Sequence, residues 1–450
     1  MQDEYGDMTA EEGNLYYTHP GPFQLESGQI LPEAKLCYHT YGTLNKARNN
    51  VLVVCHALTG NAALHVWWSD MMGSGKVFDV DKYFIVCCNI LGSCYGSTNP
   101  NSMNRNEDDG EEYGVHFPDV SVQDTVRLQL LLLRHELKLS SVLCVVGGSF
   151  GGMQTLEYVV QAGSGSNPFI QSAVVIACGT SHTAWQIGIS EVQRQAIYAD
   201  PQWSTNPKLA TSGLAVARQI GMVSYRTPQG YRSHFGRRIM PSNPSDKKNS
   251  TRDKQQQDSK SSSKSPQYGS RANWSVKSYL QYQGQKFLPR FDPVTYVKLT
   301  EQMDSHDITR GRCDGKSANG SDVAHVLGQV HIPVLVMGID SDVLYPLEEQ
   351  EGMAELLPNG ELVVIHSEDG HDGFLIEQDQ MARHIGAFLE LRQKQQQRQE
   401  QELLFQQQQQ QLQETEKKQP QFAIMEHIMK QRTGGLATAK ILPCLRSRVG

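Results

Sequence analysis

Six short runs of consecutive apolar residues, at 51–55, 83–88, 142–146, 173–177, 334–338 and 362–366, constrain this chain more than any other feature. Each is rich in Val or Ile and lacks the alternation of a strand with one wet face. A strand reads this way when helices cover both sides of its sheet. Helical patterns fall between the runs: residues 121–139 carry Val126, Leu128, Leu130, Leu131, Leu132 and Leu137, and 153–162 follows directly on the third run. The alternation predicts an α/β fold, a mostly parallel sheet with helices on both faces. An earlier segment, 34–41, alternates more and suits an antiparallel leading strand.

The pattern stops between about 183 and 322, where no run of comparable quality occurs. That stretch is a helical lid inserted between two strands, or else a second domain, and it divides the core into 23–182 and 323–391. Inside it, 242–270 contains KKNSTRDKQQQDSKSSSKS, too polar and repetitive to bury a face, which predicts a disordered loop. Residues 379–391 predict a helix docked on the core. Beyond them, 392–450 is a tail, Gln-rich as far as 421, expected to be a frayed helix or disordered.

Lys and Arg number 41 against 48 Asp and Glu, so the net charge is 41 − 48 = −7 and exerts no overall pull toward nucleic acid or anionic lipid. No apolar run reaches the roughly 18 residues of a spanning helix, and the first residues, MQDEYGDMTAEEGNLYY, are acidic where a targeting peptide would be basic. A soluble, cytoplasmic protein is expected. Its nine cysteines are odd in number, and Cys55, Cys87, Cys88, Cys144 and Cys178 lie in or beside the apolar runs, which suits buried, reduced thiols. Neither a metal site nor a resident cofactor is expected.

The run 142–146 leads into Gly147-Gly148-Ser149-Phe150-Gly151-Gly152 and then a helical pattern. A bare G-x-S-x-G arises by chance about 0.2 times in a chain this long, so the strand before and the helix after carry the signal. A nucleophile elbow needs tiny neighbours because side chains at 147 and 151 would collide across the bend. The Lys-Ser/Thr of a phosphate-binding loop is absent, and G-x-G-x-x-G spacing is not met. A rival, Gly92-Ser93-Cys94-Tyr95-Gly96, follows the second run, but the residues after it cannot form a helix. Cys94 therefore lacks the helix dipole that lowers a thiol pKa.

A serine hydroxyl is inert until a base takes its proton, and the base needs a carboxylate to hold its tautomer. On such a sheet the chain order is Ser, acid, His. The fifth run ends in Ile339-Asp340-Ser341-Asp342, and the sixth leads to Glu368-Asp369-Gly370-His371-Asp372-Gly373. Asp340 is tied more closely to the strand end, while Asp342 sits further into the loop, so both remain candidates. His366 ends its run, and His371 lies among glycines that allow a tight turn. The oxyanion needs two backbone N–H donors: Phe150, after the nucleophile, and one from the loop His56-Ala57-Leu58-Thr59-Gly60-Asn61, where Leu58 is the candidate.

Several longer motifs now stand in order: CHALTG at 55–60, NILGSCYGSTNP at 89–100, YGVHFPDVSVQDTVRLQ at 113–129, GGSFGGMQ at 147–154, DSDVLYP at 340–346 and DGHDGFL at 369–375. Together they resemble the homoserine O-acetyltransferases, which have the α/β-hydrolase fold and include relatives that act on serine or transfer succinyl. The likeness runs from about 23 to 391, interrupted by the polar loop. It implies that Ser149 takes acetyl from acetyl-CoA, and that homoserine, deprotonated by His371, then takes it to give O-acetylhomoserine for methionine synthesis. The family's D-x-L-[FY]-P segment, here Asp342-Val343-Leu344-Tyr345-Pro346, favours Asp342 as the acid. The resemblance assigns oxyanion roles to Leu58 and Phe150, amino-acid binding to Arg218, Tyr225 and Asp372, and a homodimer through the lid. Phe150 stands where Met is common in the family, and the polar insertion is a further departure.

A triad of this kind equally suits a serine esterase, whose acyl-enzyme water resolves. Arg218 and Asp372 speak for an amino-acid acceptor, since a guanidinium grips an α-carboxylate and a carboxylate pairs with an α-ammonium. A catalytically dead scaffold is disfavoured, because every triad position is filled.

Overall fold

The computed structural model describes residues 13–105, 110–240, 274–313 and 320–432. The expected loop at 242–270 and the final part of the tail, 433–450, lie outside the described residues.

Among the described residues ten strands occur in chain order: β1 (Leu15–Thr18), β2 (Phe23–Gln24), β3 (Ile30–Leu31), β4 (Lys35–Tyr41), β5 (Val51–Cys55), β6 (Phe84–Cys88), β7 (Cys144–Gly148), β8 (Ala173–Ile176), β9 (Val334–Ile339) and β10 (Gly360–Ile365). Eight form one sheet in the order β1-β4-β6-β5-β7-β8-β9-β10, and β2 and β3 make a separate hairpin. From β6 to β10 every pairing is parallel. The leading strand β4 lies antiparallel to β6, and β1 antiparallel to β4. The fold expectation therefore holds, with β1 and the small hairpin added.

Successive residues of a strand face opposite sides, and here both sides are dry. Val51, Val53 and Val145 enter one apolar cluster, while Leu52, Val54, Cys144 and Val146 enter another. The helices that close these clusters begin with α1 (Leu64–Trp67), α2 (Val122–Leu131) and α3 (Phe150–Ala162). A capping box between Ser121 and Asp124 starts α2, and one π-helical turn, Leu132–Glu136, extends it. Helix α3 begins at once after Ser149, three residues before the expected 153, because β7 runs on through Gly148.

Between β8 and β9 the described residues form α4 (Ala184–Tyr198), α5 (Thr211–Ser224), α6 (Pro228–His234), α7 (Ser275–Phe287), α8 (Pro293–Asp304) and α9 (Gly320–Gly328), with no strand. Then come α10 (Leu347–Leu356), α11 (Gly373–Ile376) and α12 (Gln378–Arg432). Met381, Ile385, Phe388 and Leu389 of α12 are buried in the second cluster. The docked helix and the expected frayed tail are thus one helix as far as Arg432. Six of the described cysteines are buried.

Candidate active site

Strands β5 and β7 are parallel neighbours, with Cys55 paired to Gly147, so the loops that follow them open at the same edge of the sheet. Ser149 sits at the bend between β7 and α3 with φ 58° and ψ −124°, a conformation that costs a non-glycine residue of order 1–3 kcal/mol. Its N–H donates to the carbonyl of Ile176 at 3.0 Å, and its carbonyl accepts from Met153 at 3.0 Å, which pins the bend from both sides. The neighbouring glycines are forced by space. A Cβ at Gly147 would lie 2.3 Å from the Gly151 carbonyl oxygen, and one at Gly151 would lie 2.2 Å from that of Cys55.

Opposite the elbow, His371 occupies a short 3-10 turn after β10. Gly370 makes the turn possible with φ 67° and backs onto the Tyr225 carbonyl, 2.8 Å from where a Cβ would be. His371 Nε2 stands 2.7 Å from Ser149 Oγ, and Nδ1 stands 2.7 Å from Asp342 Oδ2. All three side chains are buried. Nδ1 donates to the carboxylate, leaving the Nε2 lone pair to accept the serine proton. The other carboxylate oxygen of Asp342 accepts the N–H groups of Leu344, 2.8 Å, and Tyr345, 2.9 Å, so the acid is aimed by its own following residues. The rings of Tyr345 and Phe374 pack against the imidazole at 5.0 and 5.5 Å.

The two alternatives left by the sequence, Asp340 and His366, bond to each other at 2.7 Å, apart from the Ser149 hydroxyl that His371 holds. His366 is 78% exposed. Cys94 follows β6 without a helix, and its Sγ faces the Arg290 carbonyl at 3.9 Å. Burial, then the nearby Asp292 charge, pushes its thiol well above the ordinary range, so a thiolate there is disfavoured.

Leu58 lies three residues past β5, in a loop whose His56 carbonyl accepts from Gln154 of α3 at 3.2 Å. Phe150 heads α3, where the first N–H groups of a helix have no intrahelical acceptor. His56 anchors the loop from beneath. It is fully buried, accepts the Ile90 N–H on Nε2 at 3.2 Å and donates from Nδ1 to the Ala57 carbonyl at 2.8 Å. Burial holds its pKa down to about 4, only partly opposed by the bond to Ala57.

Arg218 is buried on α5, with its guanidinium 5.1 Å from the centre of the Phe287 ring. Tyr225 is seven residues on, two helical turns, and caps the same helix. Burial raises the Tyr225 phenol, and the Arg218 charge pulls against that rise. The Tyr225 ring lies 6.0 Å from that of His371. Asp372, also buried, is paired with Arg226 Nε at 2.7 Å.

Sequence reasoning missed Arg226, as it missed Arg290, whose Nη1 donates to the Thr59 carbonyl at 2.9 Å and to Tyr95 Oη at 3.0 Å. An arginine in the inserted segment reads as surface; Arg226 is set apart by its burial, and Arg290, half-buried, by its bonds to the Thr59 loop and Tyr95. No group of three or more His, Cys, Asp or Glu among the described residues could hold a metal ion. A buried serine, imidazole and carboxylate in hydrogen-bonded series can form and break an acyl ester without one.

A family model described as alpha/beta hydrolase fold matches residues 50–378, and the chain is an α/β hydrolase by class. Homoserine O-acetyltransferase of Nostoc punctiforme is 43% identical over 377 residues, covering 83% of this chain and 95% of that protein. The chain belongs to the homoserine O-acetyltransferase family. Among solved structures, homoserine O-acetyltransferase from Bacillus anthracis superposes with a TM-score of 0.67 at 20% identity, over 84% of this chain and 97% of that one. An acetylester hydrolase from Corynebacterium glutamicum gives 0.67 at 22% identity, over 87% of this chain and 100% of that one. At such identities the structures speak to the fold alone.

Proposed function

We infer that the chain is an O-acyltransferase that moves acetyl from acetyl-CoA to the hydroxyl of homoserine, through an ester on Ser149, in methionine biosynthesis. The unbroken series Ser149, His371, Asp342 carries the mechanism. In the first half, His371 Nε2 removes the serine proton as Oγ attacks the thioester carbonyl. The negative oxygen is met by the N–H groups of Phe150 and Leu58, and the thiolate leaves with the proton from the imidazolium. In the second half the homoserine hydroxyl gives its proton to His371 and attacks the ester. Ser149 Oγ departs and recovers that proton.

The acceptor end rests on charge. Arg218 supplies a guanidinium for the α-carboxylate, with Tyr225 beside it, and Asp372 supplies negative charge for the α-ammonium. That pairing separates this reading from a serine esterase, whose ester water resolves and which has no need of ions in its acceptor pocket. A homodimer through the lid is part of the proposal, supported by the exposed Trp185, Val192, Val216, Val223 and Tyr282 on its helices. So are a cytoplasmic location and the absence of a resident cofactor. Among the described residues no helix is long and apolar enough to cross a membrane.

Acetyl-CoA consumption with and without homoserine tests the reading. A large acceleration by homoserine is expected, and equal rates would leave the esterase. Running acetyl- and succinyl-CoA against homoserine and serine fixes the pair, since one pocket methylene contributes only about 1–3 kcal/mol to such a choice.

A further inference from the structure

The loop that carries His371 is gripped from outside by the segment joining α5 to α6. Arg226 stands at the centre of the grip. Its Nε donates to Asp372 Oδ2 at 2.7 Å and its Nη1 to Asp369 Oδ1 at 2.6 Å, so one guanidinium spans the residues on both sides of the catalytic imidazole. The side chain is only 7% exposed, and those of Asp369 and Asp372 are 14% and 2% exposed. Backbone contacts reinforce it: the Thr227 hydroxyl donates to the Glu368 carbonyl, and the Asp372 N–H meets the Tyr225 carbonyl at 3.4 Å. At the end of α6, Ser233 and His234 reach Glu368 and Asp369, each at 3.0 Å.

We propose that Arg226 is a positioning residue for the transfer reaction: it fixes the His371 turn against the lid and aims Asp372 at the acceptor. This rests on the proposed function above and goes beyond it in assigning a lid residue to both half-reactions. A planar fork matches two carboxylates at once, whereas an ammonium is a point charge that serves one of them well. The charges also count in favour. The Arg226 guanidinium faces two carboxylates and cannot neutralise both, so Asp372 keeps attraction for an α-ammonium even though it is already paired. Loosening the clamp moves the imidazole relative to Ser149 in acylation and in transfer alike. Removing Arg218 touches only the step that holds the amino acid.

The experiment compares the parent enzyme with Arg226→Gln, Arg226→Lys and Asp369→Asn. Thermal melting is followed alongside the rapid release of CoA from acetyl-CoA without homoserine, and then the steady-state kcat and KM for homoserine. Misplacing a catalytic group by about 1 Å costs on the order of 100-fold. Arg226→Gln is accordingly expected to slow CoA release roughly 10- to 100-fold, and to raise KM for homoserine several-fold, at temperatures where it remains folded. Arg226→Lys should recover part of the loss. Asp369→Asn, which keeps the Asp372 arm, should slow release several-fold and stands in if Arg226→Gln does not fold. The proposal is overturned by a CoA-release rate in Arg226→Gln within twofold of the parent, by full recovery in Arg226→Lys, or by losses that track the folded fraction. If Arg226→Gln does not fold, parental release by Asp369→Asn overturns it. Absence of CoA release from the parent enzyme would instead refute the acyltransfer reading.

Discussion

Two imidazoles five residues apart, His366 and His371, each hold an aspartate at 2.7 Å, and a serine is in reach of one of them. The exposed pair is an ordinary surface interaction worth at most about 1 kcal/mol. His366→Ala should therefore leave turnover within about twofold and lower stability by no more than about 1 kcal/mol, as measured by urea titration. His371→Ala should reduce turnover by several orders of magnitude, with a melting curve close to the parent's. Ser149→Ala should show no acetyl adduct by intact mass after exposure to acetyl-CoA; an adduct on that variant would place the ester elsewhere. At this scale the sequence was partly legible. Glycines on both sides of Ser149 and ahead of His371 announce turns, because only a turn has that need. Asp340 and Asp342 could not be separated by the same logic, since what distinguishes them is the aim that the Leu344 and Tyr345 N–H groups give to one carboxylate.

Elements set how closely these residues approach. The end of β5, the elbow and the first turn of α3 are packed so tightly that a Cβ at Gly151 meets the Cys55 carbonyl 2.2 Å away. Backbone on both sides must move to admit it, and overpacking of this kind typically costs about 1–3 kcal/mol. Because the displaced strand end carries the Leu58 loop, Gly151→Ala should slow acylation as well as lower the melting temperature. Gly188 is the matched contrast: it lies exposed in mid-helix on α4, with nothing within 4 Å of a Cβ. Gly188→Ala should raise stability by up to about 1 kcal/mol and leave acylation unchanged. Continuous Val and Ile runs made the buried strands legible, β5 to the residue. Strand β1 was not, because a four-residue edge strand with Tyr17 alone buried has neither a continuous run nor a convincing alternation. Beyond 391 the sequence left a frayed helix and disorder both open, because a Gln-rich surface carries no apolar period to read, and α12 runs on to Arg432.

Over the whole molecule, two fully enclosed histidines couple folding to pH. His56 lies under the Leu58 loop, and His306 donates from Nε2 to the Gly179 carbonyl at 2.9 Å. Burial keeps each neutral and its pKa near 4, well below the 6.5 of an exposed imidazole. The unfolded chain binds these two protons from about pH 6.5 downward, and the folded chain does not until about pH 4. Their contribution to stability is therefore complete above pH 6.5 and is lost as pH falls through that window, by about 1.4 kcal/mol per pH unit for each histidine. Glu349 works the other way: burial raises its carboxyl to about 6, so the folded state takes up a proton as pH drops below that value and part of the loss is offset. Among these three groups the histidines add up to two protons to the slope once both are titrated in the unfolded chain, and Glu349 takes back up to one. Replacing His306 with Gln keeps a donor for Gly179 and removes one titrating group. Urea unfolding from pH 7 to 4.5 should then show a slope shallower than the parent's by about 1.4 kcal/mol per unit across the window. Parallel curves would mean that His306 is protonated in the folded protein, and that burial is not what governs its charge.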